Sequence, residues 1–153
     1  MRPLIDLAYR LRRRAMAIVG WRTRGVKVMA FDPAGRVLLV RHRYGRSDLW
    51  MLPGGGIARR EAPITAAIRE LQEETRCRLD APEIVGRWET QAEGRRDPVW
   101  LVRGTTFDGP QSDGVEIAEA CFFPPEALPD AASPATRRRV EEMLGQRVPD
   151  GLW

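Results

Sequence analysis

A chain of 153 residues with 43% hydrophobic and 30% charged positions has the length and composition of one globular domain. No run approaches the ~18 apolar residues of a membrane-spanning helix, so no transmembrane helix is expected in this sequence. The formal charge of +4 and the pI near 9.8 come almost wholly from arginine, because Lys27 is the only lysine; guanidinium forks suit phosphate oxygens, whether on a nucleotide, a nucleic acid or an acidic membrane.

Residues 3–19 place Leu4, Leu7, Ala8, Leu11, Ala15, Ile18 and Val19 near one helical face, with Arg10, Arg12, Arg13 and Arg14 clustered along the middle. This pattern predicts a basic amphipathic helix. Docking on the domain or on a second subunit, as in a homodimer, is the favoured reading; a membrane-surface element and a transit-like leader are the others. Two strand-like stretches follow, 25–31 and 36–42, joined by Asp32-Pro33-Ala34-Gly35, a hairpin signal. Val37-Leu38-Leu39-Val40 is apolar on both faces and predicts a buried strand. Beyond it, Arg41, Arg43 and Tyr44 are candidates for touching phosphates or stacking a base, while the lone His42 reads as a surface or structurally bonded residue.

Gly54-Gly55-Gly56 then leads into an acidic helix. Pro63 suits the first turn, where its missing N–H is no loss, and Ile64, Ala67, Ile68 and Leu71 recur at i, i+3, i+4 and i+7. Glu70, Glu73 and Glu74 lie three and four residues apart, so their carboxylates leave the helix on one side. Like charges in a helix's last turn repel one another and face the negative end of the dipole. A hard divalent cation with oxygen ligands would offset both effects.

After the helix, 83–93 and 99–107 read as strands joined across residues 94–98, with Trp88 and Trp100 as core or pocket walls. Residues 106–114 are a loop by composition, and 116–123 are a last strand stopped by Pro124 and Pro125. Ser133-Pro134 introduces a helix over 135–144, whose Arg137, Arg138 and Arg139 are expected in solvent. Cys77 and Cys121, both in apolar sequence with no metal-type spacing, are expected to be reduced core residues. With no secretory segment visible, the cytoplasm is the expected compartment.

The register Gly55, Glu61, Arg69, Glu70, Leu71, Glu73, Glu74 and Cys77 resembles the signature of the Nudix hydrolase family. That signature runs Gly, five residues, Glu, seven residues, Arg-Glu, an aliphatic residue, any residue, Glu-Glu, any residue, Gly and an aliphatic residue. The family's second glycine is Arg76 here, where a helix commonly closes with a left-handed residue. The resemblance implies an α/β domain, the Nudix fold, with a mixed β-sheet sandwiched between α-helices. It covers roughly residues 24–145, leaving 1–23 as the N-terminal helix and 146–153 as a tail. It implies hydrolysis of a nucleoside diphosphate derivative with Mg²⁺ or Mn²⁺. Glu70, Glu73 and Glu74 would hold metal together with a carbonyl of Gly54 or Gly55. An acidic residue at the start of the last strand would complete the site: Glu116, with Glu119 as the competing choice. Glu70, Glu74 and Glu116 are then the catalytic candidates, with Glu61 bracing the loop and Arg69 bonding a carboxylate. Removal of pyrophosphate from an RNA 5′ end, and a module that senses a nucleotide without cleaving it, are the alternative functions.

Overall fold

The computed structural model describes residues 24–92 and 95–153, and the predicted helix over 3–19 lies outside them. One seven-stranded mixed sheet dominates the chain. The hairpin forms as expected: β1 (Gly25–Phe31) and β2 (Val37–His42) meet antiparallel at Phe31 and Val37. Asp32 closes it, its carboxylate accepting the amides of Ala34 and Arg36 and the Arg36 guanidinium. Two short strands, β3 (Trp50–Met51) and β4 (Gly54–Gly56), pair with β2 and β1. The main path runs β3-β2-β1-β6-β5, where β5 is Asp80–Ala92 and β6 is Arg95–Thr105, with β1 parallel to β6, and β7 (Ile117–Phe123) adds to β2.

Strand alternation divides the core in two. Val26, Val28, Ala30, Leu38 and Val102 pack under helix α1 (Pro63–Thr75), against Ala66, Ala67 and Leu71. Met29, Val37, Leu39 and Leu101 pack on the opposite face against Val140 of helix α2 (Pro134–Met143), with Met143 and Leu144 at the margin. The sheet is therefore sandwiched between helices, as the resemblance implies. Among the described residues no helix is long and apolar enough to cross a membrane.

Three expectations are corrected. Strands β5 (Asp80–Ala92) and β6 (Arg95–Thr105) run on until only residues 93 and 94, which are outside the described ones, separate them, so residues 95–98 are strand and not loop. Pro98 is tolerated because β1 joins β6 only from Val99 onward, leaving that stretch an edge. Cys77 is buried, but Cys121 is exposed, because β7 pairs only with β2 and forms a sheet edge. Arg139, expected in solvent, is 1% exposed. It pairs with Glu142 at 2.7 Å and lies over the rings of Trp88 and Trp153, at 4.8 and 5.3 Å from their centroids. Its guanidinium also donates to the Leu152 carbonyl, so the last residues are fastened beside β5.

Candidate active site

Helix α1 starts at Ala62, which offers no side-chain cap, and relies on Pro63 to set its first turn. It ends at Arg76, which adopts the left-handed conformation at φ 63° and closes the helix by donating its backbone N–H to the Gln72 carbonyl. The non-glycine residue at this cap thus takes the glycine conformation itself, at a steric cost.

The acidic face of α1 turns toward β4. Glu70 and Glu74 are 4% and 2% exposed, unusual burial for carboxylates. Glu74 accepts the Gly54 amide at 3.0 Å. Gly54 sits at φ 149°, with Val26 and Lys27 so close that a Cβ would lie 2.1 Å from the Val26 carbonyl. A Cβ on Gly55 would fall 2.6–2.8 Å from the Glu70 carboxyl atoms. Two of the three glycines are therefore required by close approach, to the neighbouring strand in one case and to a carboxylate in the other.

Arg69 ties the motif together. Its Nε and Nη2 donate to both oxygens of Glu61 at 2.8 and 2.9 Å, Nη1 reaches Glu70 at 2.5 Å, and Nη2 also meets the Gly56 carbonyl at 3.0 Å. Glu73 lies 3.6 Å away. Bonds to Glu61, with those to Glu70, raise the guanidinium pKa despite partial burial, so Arg69 is a fixed cation. Glu61 in turn accepts the Ala58 amide at 2.7 Å, which braces the loop before the helix.

A second cation was not singled out from the sequence as a site residue. Lys27, in the apolar strand β1, donates its ammonium to the Leu52 carbonyl at 3.1 Å. Burial pushes its pKa down, while Glu74 and Glu70 oppose that shift. The signal available was a single lysine placed inside a run of core residues.

The other candidates sit farther out along β2 and β7. Glu116 precedes β7; its carbonyl accepts the Arg43 amide at 2.8 Å, and its own amide is one of three, with Val115 and Ile117, that donate to a single Asp113 oxygen. Arg41 is turned back on Glu119 at 2.8 Å and over the Trp50 ring, whereas Arg43 and Tyr44 are exposed in the loop after β2. The structure thus brings together Glu61, Arg69, Glu70, Glu73 and Glu74 with the glycine loop.

Among the described residues, no three His, Cys, Asp or Glu side chains stand in an arrangement ready to hold a metal ion. Arg69 draws Glu61 and Glu70 to itself, and the Gly54 amide takes an oxygen of Glu74. The donor chemistry nonetheless fits a hard cation: the set is all oxygen, and the Gly55 cradle leaves room for one buried carboxylate. Among the described residues, Glu61, Glu70, Glu73 and Glu74 gather around Arg69 and Lys27.

Known proteins match this chain in sequence and in fold. The family model of the NUDIX domain matches residues 21–144. An RNA pyrophosphohydrolase from Novosphingobium aromaticivorans is 30% identical over 143 residues, covering 79% of this chain and 89% of that one. One from Saccharophagus degradans is 42% identical over 62 residues, and there the match spans only 35% of the relative's length. A MutT NUDIX hydrolase structure from Burkholderia pseudomallei superposes with a TM-score of 0.66 at 23% identity, covering 77% of this chain and 96% of that one, which shows the shared fold.

Proposed function

The chain belongs to the NUDIX domain family, and on that premise we propose that it is a divalent-metal-dependent pyrophosphohydrolase cleaving a diphosphate linkage in a nucleoside diphosphate derivative. The observation that carries this reading is the burial of Glu70 and Glu74 against Gly54 and Gly55. Two carboxylates buried beside a loop that allows close approach offer oxygen ligands suited to a hard divalent cation taken up with the substrate.

Glu70, Glu73, Glu74 and Glu116, with a carbonyl of Gly54 or Gly55, are the residues that would hold Mg²⁺ or Mn²⁺. Bound there, such an ion supplies neutralisation of charge developing on phosphoryl oxygens. Glu70, Glu74 or Glu116 orients the attacking water and accepts its proton. No covalent nucleophile is required, since water can attack phosphorus directly. Arg69 and Glu61 are positioning residues that fix the Glu70 carboxylate and the loop. Arg43 and Tyr44 meet the substrate from the exposed loop after β2. Arg41 joins them by exchanging its Glu119 partner for phosphate.

The 5′-triphosphate end of RNA is a second substrate reading, supported by the activity named for the Novosphingobium relative that aligns over most of both chains. A panel of nucleoside triphosphates, ADP-ribose, dinucleoside polyphosphates and 5′-triphosphate RNA, assayed for phosphate and pyrophosphate release with Mg²⁺, Mn²⁺ or EDTA, tests both. Turnover of one class that EDTA abolishes is the expected result. Ligand-induced thermal shifts without turnover of any member would refute the hydrolase in favour of a sensing module.

A further inference from the structure

We propose that Arg24, Arg87 and Trp100 form a phosphodiester-binding row for single-stranded RNA, reaching away from the carboxylate cluster; this rests on the RNA reading of the site. The strand register supplies the geometry. Gly55 on β4 pairs with Val26 on β1, Val26 pairs with Trp100 on β6, and Trp100 pairs with Arg87 on β5. Directly opposed residues project from the same face of a sheet. That face is known, because a Cβ on Gly55 would point at Glu70, and Val26 packs in the cluster beneath α1. Neighbouring strands are about 4.8 Å apart, so Trp100 lies roughly 10 Å and Arg87 roughly 14 Å along the row from Gly55. These spacings suit phosphates that follow a scissile 5′ group held at Glu70 and Glu74.

The chemistry at Trp100 is that of an anion site. The Arg24 guanidinium lies 5.1 Å and that of Arg87 5.5 Å from its ring centroid, both within cation–π range. Trp100 is half-buried, its inner part packed against the core beneath α1, so it is a fixed platform. A guanidinium held over a ring can still turn N–H donors to phosphate oxygens, which take two at once. The Ile57 amide bonds the Arg24 carbonyl at 3.0 Å, which couples this row to the end of the glycine loop. Arg87 also meets Glu89 at 3.2 Å, a partly exposed ion pair that an RNA phosphate can displace.

The test is the salt dependence of binding of a 5′-monophosphate single-stranded RNA octamer to the full chain. Each phosphate contact on a single strand contributes about 0.7 to the slope of log K against log salt. Loss of both contacts in R24Q/R87Q should therefore shallow that slope by about 1.4. W100L keeps both charges, so its slope should stay close to wild type while affinity falls roughly 5-fold or more, because both arginines must then be ordered on binding. W100F, which retains an aromatic face, should recover most of that affinity. A wild-type slope in R24Q/R87Q, or no octamer binding by the wild type, overturns the proposal. Pyrophosphate release from 5′-triphosphate RNA by the wild type, run in parallel, separates the two ideas. Release with an unchanged R24Q/R87Q slope refutes the row alone. Absence of both release and octamer binding refutes the RNA reading with it.

Discussion

Replacing Gly55 by alanine tests the Glu70 cradle with one methyl group. The new Cβ would stand 2.6 Å from the Glu70 carboxyl carbon and 2.7 and 2.8 Å from its oxygens, whereas ordinary contacts begin at 3.4 Å. The carboxylate must therefore retreat by about 0.8 Å, the difference between those distances. Arg69 opposes that movement, holding one Glu70 oxygen at 2.5 Å while its other nitrogens are fixed on Glu61. Misplacement of a catalytic group by about 1 Å can cost ~10²-fold in rate. Overpacking of a tight site typically costs about 1–3 kcal/mol. G55A should thus lower kcat by on the order of 10²-fold in a metal-dependent pyrophosphate-release assay. Its melting temperature should fall by roughly 2–4 °C per kcal/mol for a domain of this size. E70D provides the control, since a shorter side chain vacates the space. If the clash is the cause, G55A/E70D should be no slower than E70D alone, a non-additivity expected of touching residues. A G55A enzyme within threefold of wild type, or losses that simply add in the double variant, would refute the reasoning.

Glu74→Gln keeps an oxygen for the Gly54 amide but removes a charge, so circular dichroism and melting should be near wild type while kcat falls at least ~10²-fold. Arg139→Ala leaves Glu142 buried without its cation and should destabilise the domain by about 3–5 kcal/mol in urea titration. Activity per folded molecule should hold, because Arg139 lies on the α2 side of the sheet. Asp32 follows the acid branch: burial raises its pKa, but the Arg36 amide and guanidinium and the Ala34 amide outweigh this and hold it below the usual range. Its contribution is therefore present above the unfolded carboxyl pKa of about 3.9 and lost as pH falls through the folded value. D32A should accordingly lose about 1–3 kcal/mol relative to wild type at pH 7 in a denaturant titration, and much less near pH 2.

What was legible in the sequence was local. The span of α1 could be read from Pro63 and the Ile64, Ala67 and Leu71 spacing, and the first hairpin from Asp32-Pro33-Ala34-Gly35, because period and turn chemistry act within a few residues. Glu61, Arg69 and Glu70 were likewise visible as a register, and they meet because a loop and a helix close in sequence hold them. The hidden features all depend on strand pairing between distant segments. Lys27 is a site residue only because β1 lies beside β4 and below Glu74; Trp100 acquires Arg87 only through the β5–β6 register. Arg139 looked like one of three solvated arginines, and its burial required Trp88 and the terminal Trp153 to converge on it from two other segments.

These buried cations mark a division of labour between the two faces of one sheet. On the α2 face, Arg139 has its carboxylate, two aromatic rings and a carbonyl, so the charge is matched within the protein and serves stability. On the α1 face, Arg69 and Lys27 stand among Glu61, Glu70, Glu73 and Glu74, and two of those carboxylates, Glu70 and Glu74, are buried beside the glycine loop. A fold seeking stability alone would not bury Glu70 and Glu74 together, since paired apolar residues of similar volume are often at least as stable. Burying both carboxylates is stability given up at the place where the glycines allow closest approach, which is why we propose the chemistry on that face and the anchoring on the other.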